Sequence, residues 1–150
     1  MKLEDSTSFE DQHKSINRVF KEYQDQKVAD IKKAKELFSI FAKNLQKHML
    51  WEERVLFPIL AKDNHGNHSH AIEIIKDEHR KILQLLRDLY MKVSKNEESS
   101  KEEENLINAL IKHEEFEDDV LYPAIDMDSD REEAFQALGD IPEEEFDVEC

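Results

Sequence analysis

The sequence predicts an all-α protein, and its composition and apolar spacing are the observations that indicate this class. The chain has 150 residues, which is the size of one ordinary domain with one sizeable core. It contains two glycines and three prolines against 38% charged residues, a composition poor in turn residues and suited to long amphipathic helices. Apolar residues recur at helical spacing in four long stretches. We therefore expect an antiparallel up-down four-helix bundle followed by a short acidic C-terminal helix or tail.

The first half of the chain is expected to form two helices. The first should begin near Thr7, which has capping-box spacing to Glu10, and end between residues 24 and 27. The second should run from about Val28 to Pro58, which is expected to kink or end it. The apolar residues of this second helix that we expect to face inward are Ile31, Leu37, Phe38, Phe41, Leu45 and Leu56.

The second half is expected to form two more helices after the polar loop KDNHGNHSH. The third should cover about residues 69 to 93, and its apolar positions are Ile72, Ile75, Ile82, Leu86 and Leu89. After the stretch SKNEESSKEEE, in which Ser99 and Ser100 offer caps, the fourth carries Leu106, Leu110, Ile111, Phe116 and Leu121. We expect the bundle to span residues 1–125, with an acidic extension at 126–150 that has a short helix near residues 129–138.

A repeated motif lies at the end of each half. Residues 48–58 read HMLWEERVLFP and residues 113–123 read HEEFEDDVLYP, sharing a His, an aromatic residue three later, a Glu four later, then Val-Leu, an aromatic residue and Pro. The segment DQHKSINRVFKEYQ around His13 also resembles DEHRKILQLLRDLY around His79. Each half is therefore predicted to be a helical hairpin with a His on its first helix and His-x-x-x-Glu on its second, which indicates a site built from two halves.

The residue types in this repeat indicate a metal centre. Residues four apart on a helix lie on the same face, so His48 pairs with Glu52 and His113 with Glu117. Imidazoles bind late first-row divalent metals, and a carboxylate can bridge two ions. We therefore predict two metal ions, each with an open coordination position. The predicted ligands are His13, His48, Glu52, His79, His113 and Glu117, and the predicted apolar wall is Trp51, Phe57, Phe116 and Tyr122.

These motifs resemble those of the hemerythrin family, in particular hemerythrin-like domains with the His-His-Glu cation-binding motif. The resemblance covers about residues 9–125 and rests on His13, His48-MLW-Glu52, Glu78-His79 and His113-EEF-Glu117. It implies an antiparallel four-helix bundle with two non-haem iron ions, which we expect to be oxo- or hydroxo-bridged. It also implies binding of dioxygen, nitric oxide or peroxide.

Two differences separate this sequence from the oxygen carriers of that family. Those carriers have a fifth histidine four residues from the one on the third helix, whereas Ile75 and Leu83 occupy both such positions around His79. They also place an Asp five residues after the histidine of the fourth helix, where the predicted ligand here is Glu117, four residues after His113. Both differences weaken the expectation of reversible oxygen carriage.

Three classes of function fit the predicted centre. The favoured one is binding of a small molecule, in sensing or in the response to oxidative or nitrosative stress. The second is an iron-handling protein or redox enzyme that donates iron for repair or reduces peroxide or nitric oxide. The third is an interaction module whose metal only stabilises the fold. No catalytic residue is assigned, and Glu10, Glu53, Glu78 and His70 remain candidates for an additional ligand. His65, His68 and His70 lie in the polar loop, where helix caps and solvated side chains are the favoured interpretation.

Charge and cysteine content set limits on partners and location. Lys and Arg total 21 against 36 Asp and Glu, and the net charge of −15 disfavours nucleic acid and anionic membranes as partners. No apolar run approaches membrane-spanning length. The single cysteine, Cys150, cannot form an intramolecular disulfide. We expect a cytoplasmic protein, and the acidic tail could contact a protein partner.

Overall fold

A computed structural model of the chain describes residues 9–61 and 69–121. The expected all-α class is confirmed, since no β-strand occurs in these two ranges. The elements are α1 (Phe9–Ala29), α2 (Ile31–Trp51), the π-helical turn π1 (Glu52–Leu56), α3 (Phe57–Ala61), α4 (Ser69–Ser94), α5 (Ser100–Phe116) and the π-helical turn π2 (Glu117–Leu121). The expected cap at Thr7, the histidines at 65 and 68, and the acidic helix and tail lie outside the described residues.

The helices pack around one core as a helical bundle. Helix α1 packs on α2, α2 on α4, and α4 on α5. Side-chain hydrogen bonds join α1 to α5: Asn17 donates to Glu114 at 2.9 Å, and Gln24 donates to Glu103 at 3.0 Å. Gln24 follows Asn17 on α1, whereas its partner Glu103 precedes Glu114 on α5, so the two pairs run in opposite order along the helices. These contacts bring both ends of the described chain to one region, which includes His13 on α1 and Glu117 on π2.

The core between the helices is apolar and rich in aromatic side chains. Phe20 lies 4.7 Å from Phe41 between ring centroids, and Tyr23 lies 5.5 Å from Phe38. All four rings are at most 2% exposed. Burying a large apolar side chain contributes about 1.5–3 kcal/mol, so this cluster is a main support of the α1–α2 hairpin. The apolar residues predicted for the third helix are also buried, from Ile72 through Leu89.

The boundary between the first two helices differs from the prediction. Helix α1 continues through Val28 to Ala29 because residues 24–29 contain no Gly or Pro to stop it. Asp30 then forms the N-cap of α2, with an extended backbone and a carboxylate that accepts from Lys33 N at 3.1 Å. Val28 and Ile31 flank this turn and are 98% and 51% exposed. The prediction that Ile31 faces inward is therefore wrong.

Pro58 does not end the second long helix. It is the second residue of α3, which continues without a gap from π1, and Pro58 has no N–H to donate to a carbonyl of the preceding turn. The irregular segment is instead the π turn just before it, where Phe57 N donates to Glu52 O, five residues back. Among the apolar residues noted on the fourth helix, Ile111 is 47% exposed, so it is not part of the core.

The turn between α4 and α5 has specific backbone chemistry. Asn96 has a positive φ of 58°, which Asn adopts more readily than most residues. Its N–H donates to Val93 O and the N–H of Glu97 donates to Lys92 O, the two bonds of a Schellman motif. Ser99 is the N-cap residue of α5, but its hydroxyl donates to the Glu103 carboxylate at 2.7 Å instead of capping the helix. None of the described helices is long and apolar enough to cross a bilayer.

Candidate metal centre

The structure brings all six predicted ligands together inside the bundle. They come from each of the long helices and both π turns, and none is more than 4% exposed. Six ionisable side chains buried this deeply need partners, because an uncompensated charge or polar group in an apolar interior is costly. The residues are His13, His48, Glu52, His79, His113 and Glu117.

The six side chains form two overlapping groups whose ligand atoms lie within 4.8 Å of one another. One group contains His13 and His48, the other contains His79 and His113, and both contain Glu52 and Glu117. Each hairpin therefore supplies the two histidines of one group and one of the two shared glutamates. The repeat in the sequence corresponds to this division.

The two shared carboxylates each direct one oxygen toward each group. Glu52 Oε2 lies 3.3 Å from His48 Nε2, and its Oε1 lies 3.0 Å from His79 Nε2. Glu117 Oε1 lies 3.2 Å from His13 Nε2, and its Oε2 lies 3.0 Å from His113 Nε2. In each contact the histidine presents Nε2 to the interior, which is a geometry that allows a carboxylate to bridge two ions.

Both shared glutamates stand at the first residue of a π turn, in π1 and π2. A π turn widens the helix by one residue per turn, and such turns are frequent at functional sites. Glu52 and Leu56 are both fully buried, as Glu117 and Leu121 nearly are, so the turn keeps the glutamate and the following leucine on the core side. Neither π turn was predicted from the sequence, although each coincides with one copy of the repeated Glu-x-x-Val-Leu-aromatic-Pro pattern.

Outside the six residues, three of the four histidines have a hydrogen-bond partner at Nδ1. Glu53 Oε2 lies 2.6 Å from His79 Nδ1, and Glu78 Oε1 lies 2.8 Å from His113 Nδ1. Of the side chains considered as additional ligands, Glu53 and Glu78 therefore contact the outer nitrogen of a histidine and not the interior. His70 is exposed and belongs to neither group, and the side chain of Glu10 lies outside the described residues.

Two further outer partners were not recognised in the sequence. Gln12, which is fully buried, places Oε1 at 2.9 Å from His48 Nδ1. Asp118 places Oδ1 at 3.7 Å from His13 Nδ1. The repeat was the signal that would have revealed them, because Gln12 precedes His13 as Glu78 precedes His79, and Asp118 follows Glu117 as Glu53 follows Glu52.

Without a metal, protons balance the buried carboxylates. Burial alone would lower the pKa of His13, but its hydrogen bond with Glu117 and that carboxylate's charge raise it to about 9. Burial likewise opposes the shift at His113, whose pKa the charge of Glu117 raises to about 10. The pKa of His79 is also raised well above its usual value by its carboxylate neighbours, against burial. Burial would raise the pKa of Glu117, yet the histidines hold it well below its usual value.

The family comparison agrees with this geometry. The hemerythrin HHE cation-binding domain matches residues 5–125, and a second match to it covers residues 70–144. The chain belongs to the hemerythrin HHE cation-binding domain family. No curated protein and no solved structure gave a match.

The donor set of this hemerythrin-like domain fits metal ions in the first transition series. Imidazole nitrogens suit iron, zinc and copper, and carboxylates add harder oxygen donors. His113 Nε2 is buried and forms no hydrogen bond among the described residues, although Glu117 Oε2 is only 3.0 Å away. Two atoms that approach closely without hydrogen-bond alignment are suited to sharing a cation. Charge also fits, because two carboxylates at the interior attract cations.

Aromatic rings border the hemerythrin-like site. The Phe57 ring stacks on His79 with centroids 6.2 Å apart and an interplanar angle of 15°. Trp51 is fully buried with its ring 5.6 Å from that of His48. Phe116 is half-buried and packs against the core, and Tyr122 lies outside the described residues. The apolar rings exclude water from the histidines and reduce the local dielectric constant.

Proposed function

We propose that this hemerythrin-like chain is a non-haem di-iron protein that binds dioxygen or related small molecules such as nitric oxide and peroxide. The observation that carries the proposal is the placement of Glu52 and Glu117, each with one oxygen facing each group of histidines. A site for one ion needs no such duplication. The shared carboxylates therefore support two adjacent metal positions.

In this proposal each hairpin provides the histidines of one position. His13 and His48 would hold one ion, His79 and His113 would hold the other, and the two glutamates would be shared. Iron would supply one-electron redox chemistry and affinity for small diatomic ligands. The protein's own contribution is to keep the six donors buried, to fix the rings through their Nδ1 partners and to limit access of water.

The ligand count favours reaction with oxygen over its storage. With two histidines and two shared carboxylates, each position retains room for water or an added ligand. The positions one turn before and after His79 carry Ile75, which is fully buried, and Leu83, which packs against the core, and neither can ligate a metal. We therefore propose a role in sensing or in oxidative or nitrosative stress, in which the reduced protein is oxidised quickly by air.

Topology and location are part of the same proposal. The pairs Asn17–Glu114 and Gln24–Glu103 run in opposite order along α1 and α5, as do Gln12–His48 and Tyr23–Phe38 along α1 and α2. Both support an up-down bundle. We place the bundle at residues 1–125 and the acidic extension at 126–150, and we place the protein in the cytoplasm, where a chain with one cysteine is compatible with reducing conditions.

Metal analysis combined with rapid kinetics tests the proposal. We expect two iron ions per chain and, in the oxidised protein, near-ultraviolet charge-transfer absorption from the iron centre. The reduced protein should be oxidised quickly when it is mixed with oxygenated buffer in a stopped-flow instrument. Nitric oxide should bind the reduced protein. His79→Ala should abolish or strongly alter the absorption, whereas His70→Ala, an exposed histidine on the same helix, should leave it unchanged. Purified protein that holds one zinc ion tightly and takes up no iron would refute the proposal.

A further inference from the structure

The outer partners of the four histidines are related by the repeat but differ in chemistry. At the His79 and His113 group, both Nδ1 atoms face glutamates at hydrogen-bond distance, 2.6 Å from Glu53 and 2.8 Å from Glu78. The repeat places Gln12 where Glu78 stands and Asp118 where Glu53 stands. The outer partners of one group are thus two carboxylates in close contact, and those of the other are an amide and a more distant carboxylate.

The difference is largest between Gln12 and Glu78. The Gln12 amide oxygen lies 2.9 Å from His48 Nδ1, a distance similar to that of the Glu78 contact, but it carries no charge. Asp118 has the same charge as Glu53, but its side chain is one methylene shorter, and its oxygen is 3.7 Å from His13 Nδ1. These are differences in the outer partners alone, because Glu52 and Glu117 belong to both groups.

Outer carboxylates change how strongly an imidazole binds a metal. A carboxylate that accepts the Nδ1 proton increases the electron density at Nε2 and stabilises the ligand in the tautomer that binds metal. A neutral amide fixes the ring in the same orientation but donates less charge.

We infer that the two metal positions are unequal, and that the position of His79 and His113 is filled first and holds its ion more tightly than the position of His13 and His48. This inference rests on the proposed two-metal function and extends it by assigning an order of loading. Gln12 and Glu78 are the positioning residues that set the order. The position with the weaker partners is then the one from which a metal ion exchanges more readily.

Cobalt(II) is a suitable probe because its visible absorption reports each bound ion, and a chelating competitor gives the two affinities. In the unmodified protein we expect two resolved binding steps. His113→Ala should remove the tight step, and His48→Ala, its counterpart in the repeat, should remove the weak one. If the tight step is lost in His48→Ala instead, or if the two steps cannot be resolved, the inference is overturned.

Exchange of the outer side chains then tests the cause. Glu78→Gln should weaken the tight step by about 10- to 100-fold, the usual effect of losing an outer partner, and should leave the weak step within about 3-fold of its original affinity. Gln12→Glu should strengthen the weak step. Glu73→Gln, an exposed position on the same helix as Glu78, should change neither.

The variants have different folding risks. Gln12 is fully buried, so Gln12→Glu adds a buried charge and can prevent folding without metal, whereas Glu78 is at the edge of the site with its side chain 33% exposed. Glu78→Gln therefore decides the inference by itself: an unchanged tight step refutes it. Binding of a single cobalt ion by the unmodified protein would instead contradict the two-metal function, so the two failures are distinguishable.

Discussion

Replacing one shared glutamate should weaken both of the proposed metal positions at once. In Glu52, the two oxygens lie 3.3 Å and 3.0 Å from histidine nitrogens that belong to different groups. Glu52→Gln removes the charge from both contacts and keeps an oxygen for only one, so the other position faces an NH₂ group that cannot bind a cation. A histidine, by contrast, belongs to one position. The two kinds of substitution should therefore differ in stoichiometry.

The size of the effect follows from burial. Glu52 is 0% exposed, and removing one partner of a buried charge pair costs about 3–5 kcal/mol. At about 1.4 kcal/mol per tenfold change in affinity, each ion should bind roughly 100- to 4,000-fold more weakly. If free metal is held about tenfold above the original dissociation constant of one position, occupancy of that position should fall from about 0.9 to about 0.1 or less, and the same holds for the other position at its own concentration.

Equilibrium dialysis with metal analysis measures this change. With free metal set for each position in turn, we expect Glu52→Gln to leave both positions almost empty, whereas His48→Ala should lose only the position of His13 and His48 and retain about one ion per chain. Glu115→Gln, an exposed glutamate two residues before Glu117, is the matched control and should bind as the unmodified protein does. Circular dichroism verifies that each variant is helical. A Glu52→Gln protein that retains one ion at its original affinity would refute the shared-carboxylate reasoning.

Three further predictions concern pH, the repeat and the hydrogen bond between Tyr23 and Glu103. His13 and His113 have pKa values raised from 6.5 to about 9 and about 10. The folded state therefore holds these protons more tightly than the unfolded state. Their contribution to the stability of the metal-free protein is complete below about pH 6.5 and should be lost as pH rises through 9 to 10. Urea unfolding midpoints in chelator should fall over that range, and less so in Glu117→Gln. A fragment of residues 1–64 contains only one of the shared glutamates, so circular dichroism and sedimentation should show it poorly folded or dimeric; a well-folded monomer with normal metal affinity would contradict this. Tyr23→Phe deletes a buried hydrogen bond to Glu103 and should lower the free energy of unfolding by about 1–3 kcal/mol. Each kcal/mol should lower Tm by about 2–4 °C, and the metal stoichiometry should not change.

The sequence predicted the helical class and the identity of the clustered residues well, because both depend on spacing along a helix. Residues four apart share a face whatever the packing of the bundle, so His48 and Glu52 were expected together before any contact was known. The repeat added His13 and His79. Placing all six in one buried cluster required only that two hairpins share a core, which an apolar face on every helix makes favourable.

Local backbone details were not predicted, because they depend on competing interactions. The end of α1 was placed too early because exposed Val28 resembled the beginning of an apolar stripe, whereas Asp30 is the residue that caps α2. The π turns at Glu52 and Glu117 follow from the packing of the whole bundle, and periodicity alone gives no position for them. Gln12 was missed because it differs in residue type from Glu78, its counterpart in the repeat, and its role became clear from its distance to His48.

The raised pKa values explain how the same six residues can stay together with and without metal. Two buried carboxylates, Glu52 and Glu117, would repel each other if nothing neutralised them, and an interior of low dielectric constant makes that repulsion strong. In the metal-free protein, protons on the histidines provide the positive charge, since the pKa values of His13 and His113 lie above neutrality. A metal ion must displace those protons to reach Nε2, so metal uptake near pH 7 should release protons and become weaker as pH falls. The bundle can therefore remain folded without metal, because protonated histidines neutralise the buried carboxylates that a metal ion would otherwise neutralise.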